Sequence, residues 1–301
     1  MPISQRSRDL VSLFPHFLPV RRRGWAGLQD VLQSSGLERP HFFLLMALVQ
    51  ETDPGKALSR EEMGSRLFNP YSTFNPSFDD LQLLMEKGYL VHTDAGYLVI
   101  PGGRSLIEHT EQAARDYVAT LTPLPLSELT LLAARLEEIA QRIWQAEEPT
   151  VKAHQARCHR LPPITTTTPM VHLEAAIFAL WMARDDAHIA AWWAEGLSGP
   201  HLDLLTRLWT GEAHSLPELT SALQHTQRPE DILQGVRALR EAGYVLGEGE
   251  HLALTASGQQ VRTRIEEETD RIYFTSWPPL TPEDLNWLYS SLKKLCETLS
   301  A

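Results

Sequence analysis

One stretch of this chain occurs twice, and nothing else in the sequence restricts the possible folds as much. "GLERPHFFLLMAL" at 36–48 resembles "GLSGPHLDLLTRL" at 196–208, with Gly, Leu, Pro, His and three later leucines coinciding at an offset of 160. Further along, "LMEKGYL" at 84–90 pairs with "LREAGYV" at 239–245 at an offset of 155, which also pairs Gly103 with Gly258. Leu129, Leu132, Leu136, Ile139 and Ile143 then match Leu285, Leu288, Leu292, Leu295 and Leu299 at an offset of 156. Matches in the same order, with small shifts between them, point to a tandem duplication. Each half should then build the same unit.

Periodicity and capping identify that unit. In the second copy, 200–210 places Leu204, Leu205 and Leu208 on one helical face. "SLPE" at 215–218 supplies an N-cap serine with Pro and Glu in the first turn, opening a short helix that ends near Gln224. A third helix is expected over 226–242, with Ile232, Leu233, Val236 and Leu239 on one face and Gly243 as its stop. "YVLGEGEHLALT" then reads as two short strands about a Gly-Glu-Gly turn. The first copy repeats the order, with helices at 40–50, 59–68 and 76–87, then Gly88 and "YLVHTDAGYLVI" about Asp94, Ala95 and Gly96. Three helices and a hairpin make the winged helix-turn-helix order.

Each hairpin leads into a long helix, near 104–120 and 259–275, then a proline break and an amphipathic helix at 126–145 and 281–299. Apolar spacings of three and four give these last helices a narrow seam suited to another helix. Two packings are open: each seam caps its own unit, or the seams of the two copies pair. Between the halves, 146–170 holds Pro149, Pro162, Pro163, Pro169 and four threonines at 165–168, a composition that favours an extended or irregular path. The expected division is a first winged-helix unit with flanking helices at 1–145, a linker at 146–170 and a second unit at 171–301. The fold class is mainly α with two small β-hairpin wings.

Composition sets limits on function. Two cysteines, Cys158 and Cys296, are too few for a disulfide framework, which fits a reducing cytosol. The arginines near the N-terminus flank no clean apolar core, unlike a secretory signal. The most apolar stretch, 170–183, is interrupted by His172 and Glu174 and is too short to span a bilayer. A soluble, cytoplasmic protein is expected. The net charge of −11 matters more, because phosphate contacts dominate DNA affinity and call for a basic face. Arg21, Arg22 and Arg23, and Arg157 with Arg160, are the best local basic clusters.

The element order resembles the MarR-type winged-helix transcription factors. "DDAHIAAWWAEGLSGP", "LTASGQQVRTRIEEETDR" and "SWPPL", within roughly 185–280, resemble the C-terminal part of the SalK-like tandem helix-turn-helix proteins of actinobacteria. In the first half only Phe68-Asn69-Pro70 and Phe74-Asn75-Pro76 add to that likeness. The MarR resemblance implies terminal helices that dimerise and a third helix and wing that meet duplex DNA. It also implies phenolic or other aromatic ligands held between the dimer helices and the winged core. One chain would then act as an intramolecular pseudo-dimer, with further dimerisation between chains left open.

On that reading the DNA-contacting candidates are Arg228, Gln234 and Arg237 in the second copy and Asn75 and Gln82 in the first, residue types that reach base edges or phosphates. Asp79, Asp80, Glu86, Glu230, Asp231 and Glu241 dilute their charge. The wing tips carry Asp94, Glu248 and Glu250 and no arginine or lysine, whereas DNA-binding MarR proteins typically place a basic residue there. Trp25, Trp181, Trp192, Trp193, Tyr273 and Trp277 could line a ligand space, although aromatics at helical spacing usually fill a core.

Enzyme readings find little support: there is no glycine-rich phosphate loop, nucleophile elbow or zinc-finger spacing. His154, Cys158 and His159 lack a second ligand cluster, and Asp185-Asp186 with His188 suits capping or surface polarity. No enzyme activity, metal or cofactor is expected. The leading expectation is a MarR-like, DNA-binding transcriptional regulator, with response to a small aromatic ligand left open. The alternative is a winged-helix protein that binds a small molecule or a partner protein and has lost DNA contact.

Overall fold

The computed structural model describes residues 3–66, 70–73, 76–160 and 165–301. Two short helices, α1 (Gln5–Ser12) and α2 (Phe14–Val20), come first. The first winged segment follows as α3 (Gly27–Ser35), α4 (Arg39–Glu51), α5 (Arg60–Arg66), α6 (Phe78–Glu86), β1 (Leu90–Thr93) and β2 (Gly96–Val99). Next come α7 (Pro101–Ala119), α8 (Leu126–Gln145), α9 (Ala153–Arg160) and the 26-residue α10 (Pro169–Ala194). The second winged segment is α11 (Gly199–Thr210), α12 (Leu216–Leu223), α13 (Pro229–Glu241), β3 (Val245–Glu248) and β4 (His251–Leu254), and α14 (Ala256–Thr275) and α15 (Pro282–Ser300) end the chain. The two hairpins are antiparallel and separate, pairing Leu90 with Val99 and Val245 with Leu254.

Local chemistry explains the boundaries. Ser215 caps α12 by accepting from the Glu218 N–H, and Thr281 and Asp284 form a reciprocal capping box at α15. The third helix of the second segment begins at Pro229, not at Thr226 as the sequence predicts. Proline drives the preceding residue into extended backbone, and Arg228 sits there at φ −77°, ψ 147° as the N-cap. Both segments use glycine in one way. A Cβ on Gly103 would lie 2.8 Å from the Tyr89 carbonyl oxygen, and one on Gly258 would lie 2.2 Å from that of Tyr244. The same carbonyls accept from the Ile100 and Thr255 N–H groups. The long helix behind each hairpin can therefore press directly on the first strand.

Three cores result. One belongs to the first winged segment and includes Phe42, Leu45, Leu48, Leu81, Leu84 and Ile107. Another belongs to the second, around Leu204, Leu205, Leu219, Ile232, Val236 and Val261. The third is the helical layer between them, where Leu10, Phe14 and Phe17 meet the seams Leu129, Leu132, Leu136 and Ile139 of α8 and Leu285, Leu288, Leu292 and Leu295 of α15. α10 packs against α8, α14, α9, α2 and α7, forming the spine of this layer. α8 and α15 also touch directly, with the Ser291 hydroxyl donating to Glu128 at 2.9 Å. Residues from both ends of the chain thus bury their apolar surface in one core, each large side chain contributing roughly 1.5–3 kcal/mol.

The connection after α8 is not wholly irregular. α9 forms across 153–160 because the buried Asp186 carboxylate, on α10, accepts the His154 and Gln155 N–H groups at 2.9 and 3.0 Å. A remote side chain satisfies the orphan donors of the helix start.

Candidate nucleic-acid interface

α13 is built to bury one face and present the other. Ile232, Val236 and Leu239 point into the second core, and Gly235 lets the helix approach α11 so closely that a Cβ there would lie 2.6 Å from Leu204. Glu230 and Asp231 suit the positive end of the helix dipole. The outer face carries Leu233, Gln234, Arg237, Arg240 and Glu241, all exposed. Leu233, expected on the buried face, lies outside it.

The charges on this face are mostly spent within the protein. Arg228, which the late helix start moves from the outer face to the N-cap, bonds Asp231 at 2.7 Å, and that contact raises its pKa. Arg240 reaches the wing to bond Glu248 at 2.8 Å. Arg207 on α11 is held between Asp203 and Glu212. Among the described residues Arg237 has no ion-pair partner and Gln234 no side-chain hydrogen bond, so these two remain available to a ligand. Between Gly199 and Thr255 there are eight acidic and four basic residues, so contact with a phosphate backbone has to be local.

The first segment offers less. Ser77 and Asp80 form a capping box at α6, and Asp80 also lies 3.4 Å from His41. The Gln82 amide donates to Glu86 at 3.0 Å and is half-buried. Asn75 lies outside the described residues. The wing tips are Asp94-Ala95 and Gly249-Glu250, exposed and without a cation.

The turn that leads into α13 is bonded to the first segment, while Arg228, Pro229 and Glu230 stay exposed. The Thr73 N–H donates to the Thr226 carbonyl at 2.8 Å, and the Arg228 N–H donates to the Thr73 hydroxyl at 3.1 Å. Sequence reasoning gives no sign of this contact, because its partners are 153 and 155 positions apart.

Of the basic clusters singled out in the sequence, Arg21, Arg22 and Arg157 turn inward, while Arg23, which donates to the Ser300 carbonyl at 3.0 Å, and Arg160 stay exposed. Arg21 and Arg22 both bond Glu174, and Arg22 also bonds Glu111 at 3.2 Å. Burial lowers the Arg21 pKa; it would lower that of Arg22 as well, but Glu111 and Glu174 together raise it. Arg157 bonds Glu51, while Arg160 donates to the Gln50 carbonyl at 3.1 Å. His159 packs at a tilt on Trp144, ring centroids 4.0 Å apart, rather than joining His154 and Cys158.

A cavity of about 440 Å³ opens among α4, α7, α9, α10 and the end of α2. Phe43, Met46, Val171 and Phe178 form its apolar wall, and Arg21, Arg22, Arg115, Glu111 and Glu174 its charged end. None of the six aromatics singled out in the sequence lines it. Tyr273 is fully buried and packs edge-on against Trp277, and Trp192 belongs to the second core. Trp193 stands exposed on α10, stacked on Trp192. Trp181 flanks a different cleft, beside Arg184 and Trp209.

No helix among the described residues is long and apolar enough to cross a membrane. No curated protein and no solved structure matches the chain significantly. A model of a helix-turn-helix family matches residues 98–301, from the second strand of the first wing through all of the second winged segment. That match spans more than half of the sequence and contains α12, α13 and the wing behind them, and the chain belongs to this helix-turn-helix family.

Proposed function

We propose that the protein is a MarR-like transcriptional regulator that acts on duplex DNA as a pseudo-dimer within one chain, with α13 as its principal reading helix. One observation carries this reading: in a helix-turn-helix chain, the outer face of α13 leaves Gln234 and Arg237 exposed and uncommitted beside the wing. Arginine is suited to guanine edges or phosphates, and glutamine to adenine. The repeated element order and the shared helical core support the pseudo-dimer. The test is binding to random duplex DNA across a salt series. Arg237→Ala should weaken binding and lower the slope of log K against log salt by about 1. Binding without salt dependence, or an unchanged slope in the variant, refutes the assignment.

The cavity supports a second element, response to a small aromatic ligand. Its apolar wall beside three arginines and two glutamates suits an aromatic ring carrying an anionic group. Benzoate-type probes should bind the protein, and Met46→Trp, which fills the wall, should abolish that binding while leaving the helical content unchanged. If the ligand binds and DNA does not, the chain is a sensor that has given up DNA contact. The acidic wings and the paired arginines of α13 favour that reading over a purely structural role.

A further inference from the structure

The cleft beside Trp181 and Trp209 has a volume of about 550 Å³ and opens between the helical layer and the second winged segment. α1, α10, α11 and α14 build most of it. On α14, Thr263, Glu266, Glu267 and Asp270 recur at i, i+3, i+4 and i+7, so one helical face lines the cleft with three carboxylates. Trp181 and Arg184 come from α10, Arg8 and Val11 from α1, and Trp209 from the last turn of α11. None of these residues lines the cavity that contains Arg21, Arg22 and Glu174. The two indoles make an aromatic wall that stays open: Trp209 is 43% exposed and Trp181 is partly buried.

The cleft already holds cations, and they belong to the chain itself. Arg8 reaches across from α1 to Asp270 at 2.6 Å; the acid is 6% exposed and the arginine 47%. Arg184 bonds the other oxygen of the same carboxylate at 3.0 Å. Arg262 lies 2.6 Å from Glu266, with its guanidinium carbon 4.9 Å from the centre of a Trp209 ring. An indole in such a position attracts positive charge electrostatically. Glu267 differs from the other two acids, being exposed and without an ion-pair partner among the described residues.

The sign of a ligand's charge follows from which of these groups can be released. Counting Arg262, three arginines face three carboxylates, so the cluster carries no net charge of its own. An incoming anion would have to draw Arg8 or Arg184 away from Asp270, leaving a buried carboxylate with fewer partners. An incoming cation can instead take the place of Arg8, whose half-exposed side chain swings into water while Arg184 stays on Asp270. Glu267, one turn before Asp270 on the same face, is free to add a second contact.

We propose that this cleft binds an organic cation with an apolar aromatic body. The charge sits at Asp270 and Glu267, where Arg8 now reaches, and the body lies against Trp181 and Trp209. The proposal stands apart from the DNA and anionic-ligand readings above.

Tetraphenylphosphonium tests it on the full chain, with tetraphenylborate, a body of the same shape and opposite charge, titrated separately by calorimetry. Three variants locate the site, each checked for its fold by circular dichroism; Glu267→Gln changes an exposed, unpaired side chain, so its result is free of folding effects. Tetraphenylphosphonium should bind the wild type. Arg8→Met should tighten binding at least about threefold, because the chain's own cation no longer competes. Glu267→Gln and Trp209→Leu should each weaken it roughly two- to fivefold. Tetraphenylborate should be indifferent to all three substitutions. No binding of the cation by wild type or Arg8→Met overturns the proposal. Affinity that is unchanged in both Glu267→Gln and Trp209→Leu, or lowered by Arg8→Met, places the cation elsewhere and overturns it too. Tetraphenylborate binding that is lost in Trp209→Leu overturns the choice of charge.

Discussion

Glu174→Gln isolates the effect of one buried charge. Glu174 accepts from both Arg21 and Arg22, its side chain is 6% exposed, and those of the arginines are 16% and 20% exposed. Glutamine keeps the shape and one acceptor oxygen but removes the charge, leaving two guanidinium groups with Glu111 as the remaining carboxylate bonded to Arg22. Removing one partner of a buried ion pair costs about 3–5 kcal/mol, and the retained acceptor and Glu111 place this case near 3 kcal/mol. At roughly 2–4 °C per kcal/mol for a chain of this size, the melting temperature should fall by roughly 6–12 °C. Urea unfolding followed by circular dichroism gives the free energy, and calorimetry the temperature. Glu268→Gln is the internal control: its pair with Arg271 is about half-exposed, so its loss should cost about 0–1 kcal/mol. The penalty at Glu174 should also persist in high salt, which screens exposed pairs far more than buried ones. A loss below about 1 kcal/mol, or one that vanishes with salt, would mean the cluster is solvated. The charged end of the cavity would then be ordinary surface. If the cluster is dry, the same variant leaves the lining more positive and should tighten binding of an anionic aromatic probe.

Three further outcomes follow from the geometry. Burial pushes His188 and His154 down to about 4, so both stay neutral in the folded protein at pH values where the unfolded chain protonates them. Their contribution is fully present above about pH 6.5 and is lost as pH falls toward 4, at most roughly 3 kcal/mol each; the drop in urea midpoint between pH 7 and pH 5 should shrink in His188→Gln, and an unchanged drop would count against it. Gly258→Ala forces a methyl group toward the Tyr244 carbonyl and should cost about 1–3 kcal/mol in urea unfolding, with Gly103→Ala behaving alike; a neutral result would show that α14 does not press on the wing. Arg237→Ala should be neutral for stability to within about 0.5 kcal/mol, since its side chain is exposed, so any loss of DNA binding can be read as lost contact.

What could be read from the sequence was what local chemistry decides. The seams of α8 and α15 follow from spacing alone, and Ser215 and Thr281 announce their helices because each cap lies within three residues of the donors it serves. The features that escaped depend on distant partners. "VKAHQARCHR" has no apolar stripe, and α9 starts because Asp186, more than thirty positions on, caps it. Arg21, Arg22 and Arg157 resemble surface charges until the fold brings Glu174, Glu111 and Glu51 beside them. Arg228 falls on the outer face of a helix begun at Thr226, but Pro229 holds it in extended backbone at the N-cap. The cavity could not be foreseen from the tryptophans, since its aromatic lining is Phe43 and Phe178.

If the two winged segments act as the proposed pseudo-dimer, joining them in one chain removes a constraint that every homodimer carries. A symmetric dimer must present the same side chains to both half-sites, and its operators mirror that two-fold symmetry. Here Arg237 stands 155 positions after Gln82, and Gln234 the same distance after Asp79. One helix shows a glutamine and an unpaired arginine; the other shows an aspartate and a glutamine tied to Glu86. A duplex held by both would carry two unlike half-sites, with guanine or phosphate contact at one and little attraction at the other. On the proposed pseudo-dimer reading the target would be directional, with a left and a right end, and a search confined to palindromes would pass over it.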